Sequence, residues 1–145
     1  LYDQDAPGPY DQRHTIYTDI GYKPGRAWRL NAAWQYHSGT PYTDYGIQEE
    51  RYSRGNVYYY PTLDTPYSSR LLAYHRLDIR ISRAFDISHG TLSFFAEVVN
   101  LYNHHNMRTF DWRYRRTGSS YDLIRTPYYW FRLLPSLGIK WEWEF

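Results

Sequence analysis

Hydrophobic and polar residues alternate strictly along several stretches of this chain, and the clearest runs from Pro135 to Phe145. Leu137, Ile139, Trp141, Trp143 and Phe145 fall on one side, and Ser136, Gly138, Lys140, Glu142 and Glu144 on the other, because successive side chains of a strand point to opposite faces. From Tyr74 to Phe85, Leu77, Ile79 and Ile81 oppose Arg76, Asp78, Arg80 and Ser82. From Trp28 to His37, Trp28, Leu30, Ala32, Trp34 and Tyr36 oppose Arg29, Asn31, Ala33, Gln35 and His37. From His14 to Tyr22, Ile16, Thr18, Ile20 and Tyr22 oppose Thr15, Tyr17, Asp19 and Gly21. Thr91 to Leu101 is blurred: Leu92, Phe94, Ala96 and Val98 share a face, but Phe95 and Val99 interrupt the polar side held by Ser93 and Glu97. The pattern predicts five strands, near 14–22, 28–37, 74–85, 91–101 and 130–145, with about the nine to eleven residues a tilted membrane strand needs.

The connections alternate in length. Lys23 to Ala27 and Asp86 to Gly90 are compact, with Pro24, Gly25 and Gly90 supplying the fixed or positive φ of a tight reversal. Residues 38–73 and 102–129 are too long for ordinary hairpin connections. Short turns at one end and long loops at the other are the asymmetry of an outer-membrane barrel, whose strands turn apolar residues to lipid, polar ones to the lumen and aromatic rings to the boundaries.

Composition agrees. Aromatic residues are 21% of the chain, with 18 Tyr and 6 Trp, yet mean hydropathy is low and no stretch approaches the roughly 20 apolar residues of a spanning helix. Alternation hides a barrel's hydrophobicity from such an average. The formal net charge of +2, with both signs interspersed, gives no basic stripe for nucleic acid, and the absence of Cys excludes disulfides and thiolate zinc sites. The expected fold is therefore all-β, an antiparallel up-and-down transmembrane β-barrel segment. Five strands leave two edges whose backbone groups would face lipid at several kcal/mol each. The strands that close the barrel are expected before Leu1, and the chain is read as the C-terminal part of a larger polypeptide.

Several short segments, in order from about Tyr10 to Phe145, resemble the C-terminal end of TonB-dependent receptors. Trp34-Gln35-Tyr36-His37-Ser38-Gly39-Thr40-Pro41-Tyr42 is similar to the family's strand entering an outer loop through Ser-Gly-x-Pro-Tyr. Tyr74 to Phe85 resembles its Tyr-x-Arg-Leu-Asp strand, Glu97 to Asn103 its Val-x-Asn-Leu-aromatic-Asn segment, and Leu134 to Phe145 its closing strand. One departure is that Arg70 is followed by Leu71 and Leu72, where the family often has Arg-x-Pro. The resemblance implies a plugged barrel of about 22 strands in the outer membrane of a Gram-negative bacterium. Its role would be to import a scarce ligand such as an iron-siderophore, cobalamin or a glycan. It implies as partners the membrane lipid and lipopolysaccharide, the TonB complex acting through a plug that this chain lacks, and the barrel assembly machinery, with Phe145 as assembly signal. No enzymatic activity, cofactor or nucleic-acid partner is implied.

Candidate ligand contacts in the two outer loops are Tyr58, Tyr59, Tyr60, Arg54 and Arg70 in the first, and Trp112, Tyr114 and Arg115 in the second. Rings stack on sugar or aromatic ligand faces, and guanidinium forks pair with carboxylate or phosphate. The plainer expectation for any single ring is packing within the loops. His104-His105 is expected to be a solvated pair, since no carboxylate or Cys sits at ligand spacing. Arg76, Asp78 and Arg80 are expected to form an ion network on the inner face. No Gly-x-Ser-x-Gly elbow, His-Glu-x-x-His or phosphate-cradling glycine run is present, so catalysis has no support. The alternatives to a receptor are a soluble or secreted aromatic-rich β-domain that binds carbohydrate, and a barrel without a plug that only anchors or adheres.

Overall fold

The computed structural model describes residues 7–51, 55, 57–118 and 120–143. Among them it contains no helix and eleven strands: β1 Thr15–Tyr22, β2 Trp28–His37, β3 Pro41–Tyr42, β4 Tyr45–Arg51, β5 Val57–Leu63, β6 Ser69–Arg70, β7 Tyr74–Ile87, β8 Gly90–Val99, β9 Met107–Thr117, β10 Ser120–Tyr129 and β11 Leu134–Trp143. The chain divides into two compact units. One comprises His14–His37, Tyr74–Asn106 and Trp130–Phe145; the other comprises Leu1–Arg13, Ser38–Ala73 and Met107–Tyr129.

The first unit is an antiparallel sheet of order β1-β2-β7-β8-β11. Its strands are the five that alternation predicts, each paired with the next in the chain. Register carries the alternation across the whole sheet. Tyr22, Leu30, Ile81, Ala96 and Leu137 form one row of one face, and Ile20, Ala32, Ile79, Val98 and Pro135 the next. Gly21, Asn31, Arg80, Glu97 and Ser136 form a row of the opposite face. A slip of one residue in any pairing would mix the two faces. Among the described residues no large apolar side chain is buried, and Leu137 is 84% exposed. Nor do β1 and β11 have a strand partner on their outer edges.

Phe95, the residue that blurs the pattern of β8, has a structural reason. Its ring lies on the polar face, where a Cβ at Gly138 would overlap it, and the Arg80 guanidinium sits 3.9 Å from the ring centre. Glycine opposite and a cation above make room for an aromatic ring among polar neighbours.

The strand ends differ from expectation in instructive ways. The β7–β8 reversal is tighter than 86–90, because β7 continues to Ile87 and only Ser88 and His89 separate it from β8. Gly90 supplies a φ of 121°, a conformation disfavoured for residues with a Cβ. Gly25, by contrast, is not among the positive-φ glycines, so the β1–β2 reversal uses all of Lys23–Ala27. β8 stops at Val99 rather than Leu101 because Asn100 takes φ 56°. β11 starts at Leu134 rather than near 130.

Past Ile79 the pairing of β7 with β8 ends, and asparagines replace the missing ladder. The Asn106 Oδ1 accepts the His75 N–H at 2.8 Å, and its Nδ2 donates to the His75 carbonyl at 2.9 Å. Leu101 N–H donates to the Leu77 carbonyl at 2.7 Å. The Asn100 carboxamide closes its own turn, donating to the His104 carbonyl at 2.9 Å and accepting the His104 N–H at 3.0 Å. Both asparagines are 1% exposed, and their polar atoms are paired, as burial requires.

The second unit comes from the two long connections, which form ladders rather than irregular loops: β3 with β6, β4 with β5, and β9 with β10. Sequence reading missed these strands because their faces mix Tyr, Arg, Glu and Thr, so period-two hydrophobicity is absent. Gly39 lies against the chain leaving β6, and a Cβ there would overlap the Leu71 carbonyl. The Leu71 N–H also donates to the Thr40 carbonyl at 3.0 Å. The glycine of Ser-Gly-x-Pro-Tyr is thus fixed by close backbone approach.

Candidate ligand-binding surface

Strand parity sorts the side chains of the ladders into faces. On the β4–β5 hairpin, Glu50 pairs with Tyr58 and Gln48 with Tyr60, placing all four on one face, whereas Tyr45 and Tyr59 lie on the other. Tyr45 packs on Trp112 with ring centres 5.5 Å apart, and Tyr59 packs on Tyr121 at 5.4 Å. Tyr58 and Tyr60 stay 50% and 42% exposed. Consecutive tyrosines, indistinguishable by composition, therefore divide by face, Tyr59 on one and the more exposed Tyr58 and Tyr60 on the other.

Arg125, which sequence reading passed over, joins several groups of this unit although its side chain is exposed. Its guanidinium carbon lies 4.6 Å from the Phe110 ring centre and 5.7 Å from that of Trp112. Its Nη1 donates to the Tyr42 hydroxyl at 3.3 Å and pairs with the Asp44 carboxylate at 3.4 Å. Tyr42 in turn packs on Phe110 at 5.3 Å. Register could have revealed it, because Arg125 is the β10 residue directly across from Trp112.

Arg70 is engaged within the protein. Its guanidinium donates to the Gly39 carbonyl at 3.1 Å and to the Asp11 carbonyl at 2.7 Å, and it pairs with the Asp11 carboxylate. Trp112 is packed as described. Tyr114 and Arg115 are exposed on opposite faces of β9. Arg113 shares the Arg115 face and is held at 2.8 Å by Asp111, whose hydrogen bond and charge raise the guanidinium further above its usual value. Glu49 does the same for Arg51. Arg54 and Phe145 lie outside the described residues. The structure thus leaves Tyr58, Tyr60, Tyr114 and Arg115 presented, on more than one face, and draws Tyr59, Arg70 and Trp112 into packing.

On the polar face of the sheet Arg76, Asp78 and Arg80 fall into two separate ion pairs rather than one network. Arg76 pairs with Asp78 at 3.1 Å, and Arg80 with Glu97 at 3.4 Å. The second Asp78 oxygen accepts the Asn100 N–H at 2.9 Å, so this carboxylate also fixes the turn. Nearer the short turns, Arg29, Asn31, Lys140 and Glu142 rim a basin of ≈ 350 Å³ floored by small residues such as Ala84 and Ser93.

His104 departs from the expected solvated pair. It is half-buried and stacks on His75 with ring centres 3.8 Å apart, while His75 Nδ1 lies 2.8 Å from the Tyr102 hydroxyl. Partial desolvation raises that hydroxyl above its usual value, and a hydrogen bond with Trp34 opposes the shift. His105 is exposed. Among the described residues no group of three or more His, Cys, Asp or Glu side chains could hold a metal ion.

Comparison with protein-family models, with curated proteins and with solved structures finds no match to this chain.

Proposed function

We propose that the five-stranded sheet is a stretch of the wall of a transmembrane β-barrel in the outer membrane of a Gram-negative bacterium, and that the whole protein is a TonB-dependent receptor. The observation that carries this reading is the apolar face. It runs in register across five neighbouring antiparallel strands, and among the described residues none of its large side chains is buried. A contiguous apolar surface of that extent calls for an apolar phase outside the chain, and a bilayer supplies one. The opposite face, with its ion pairs and polar basin, suits a water-filled or plugged lumen. The two unpartnered edges are closed by further barrel strands, because open edges are not tolerated in hydrocarbon.

On this reading the ladders of the long connections are extracellular. Their exposed Tyr58 and Tyr60, and the cationic side chains of β9, contribute to capture of a ligand with rings or acidic groups, an iron-siderophore, cobalamin or a glycan. Energy comes from the TonB complex through a plug, and the wall itself performs no chemistry. The test uses single cysteines in the full-length protein in outer membranes. Ile79→Cys should carry a polarity-sensitive dye into an apolar environment, and Asp78→Cys into an aqueous one. Equal dye spectra at the two positions would sink the wall assignment, and ligand uptake that persists without TonB would sink the receptor assignment.

A further inference from the structure

The apolar face carries one residue that the membrane reading does not require. Among the described residues of the five strands, Arg83 is the one Lys, Arg, Asp or Glu on that side, aligned with Trp28 of β2 and Phe94 of β8. Its guanidinium carbon lies 4.6 Å from the Phe85 ring centre and 5.1 Å from that of Trp28. None of the ion pairs among the described residues involves it, and its side chain is exposed. Immediately beside it a groove of ≈ 620 Å³ runs over the short Ala96, between Ile81, Phe94, Leu137 and Ile139.

The position has a direction. Arg83 stands level with the first residue of β2, close to the short turns, whereas the row of Ile81, Ala96 and Leu137 lies one step further toward the long connections. In a barrel wall that sets a cation at headgroup level in the turn-side leaflet, with an apolar furrow leading from it toward the membrane middle. A guanidinium fork suits a phosphate, and flanking rings hold it at the boundary.

We propose that Arg83 and the adjoining groove form a binding site for one glycerophospholipid, with its phosphate on the guanidinium and an acyl chain over Ala96. This rests on the wall reading. The plainer role, an arginine that merely anchors the strand at the boundary, predicts no stoichiometric lipid and no dependence on the groove.

The test is lipid retention by the full-length protein, purified in mild detergent, supplied with phosphatidylglycerol and weighed as the intact complex. One retained lipid is expected for the wild type. Arg83→Gln should lower retention about tenfold, the order of one charge-assisted hydrogen bond. Ala96→Leu fills the groove while keeping the guanidinium, and should lower it as well. Wild-type retention by both variants would overturn the site, as would displacement of the lipid by millimolar inorganic phosphate, which would make the free anion the ligand. The Ile79→Cys dye separates the two failures. An apolar signal there with unchanged retention removes the lipid site alone, whereas an aqueous signal removes the wall and this site with it.

Discussion

In the five-stranded sheet Trp28, Trp141 and Trp143 stay about half exposed, whereas in the ladders Tyr42, Tyr45, Phe110 and Trp112 close on one another around Arg125. The two regions use the same rings for opposite ends. The ladders pack part of their aromatic surface on itself and leave Tyr58, Tyr60 and Tyr114 exposed at scattered positions. The sheet leaves its apolar surface exposed along one whole face, the face that the proposed wall would set against an apolar phase. The difference lies in register and parity rather than composition, because both regions are rich in Tyr, Trp and Arg.

The contrast breaks most visibly at β7. With the full-length protein refolded into lipid, Ile79→Arg should cost about 2 to 4 kcal/mol of stability in denaturant titration. Asp78→Asn, one residue away, should cost about 1.5 kcal/mol, because Asn keeps an acceptor for the Asn100 N–H but loses the charge paired with Arg76. Arg80 has its own partner in Glu97, so only one inner cation is stranded. Equally mild effects at both positions would erase the distinction between the faces.

Next in size is Asn106→Ala, which removes both side-chain hydrogen bonds to His75 and should cost about 2 kcal/mol. Hydrogen exchange should quicken first at His75, with the ladder from Ile79 to Ile87 unchanged. Uniform quickening across β7 would mean that the asparagine is no local cap. Arg125→Ala should cost less, about 1 kcal/mol, since its ion pair is partly exposed and screened. The loss should appear as faster exchange in β9 and β10 while β1, β2 and β11 hold their rates. Smallest of all, Tyr60→Ala should change stability by less than about 0.5 kcal/mol while, on the proposed receptor reading, lowering affinity for the ligand. Tyr59→Ala should do the reverse, because its ring packs on Tyr121.

The five sheet strands were legible because apolar residues recur at alternate positions with few interruptions, such as Thr18 and Arg83, a signal that survives without knowledge of any partner. Their ends were less so. Asn100 and Asn103 adopt φ of 56° and 55°, and a turn built on side-chain amides leaves no hydrophobic trace. The ladders were illegible for the same reason, and with them the division of the loop tyrosines. Tyr58, Tyr59 and Tyr60 look alike in sequence until pairing with β4 assigns their faces. Arg83 was passed over in sequence: Phe85 lies two residues along the same strand, but only register sets Trp28 of β2 beside it.

The carbonyl of Asn106 also accepts the Trp130 N–H at 2.9 Å, so the two feet of the β9–β10 hairpin are bonded to each other at the point where the hairpin leaves β8 and returns toward β11. That one bond closes the base of the connection, while β9 and β10 themselves stay tied to the first connection through Arg125 and Tyr121. An epitope displayed by grafting therefore belongs at the far tip of the hairpin, where Asn106 with its pairing to His75 and the Arg125 contacts to Tyr42 and Asp44 are all kept.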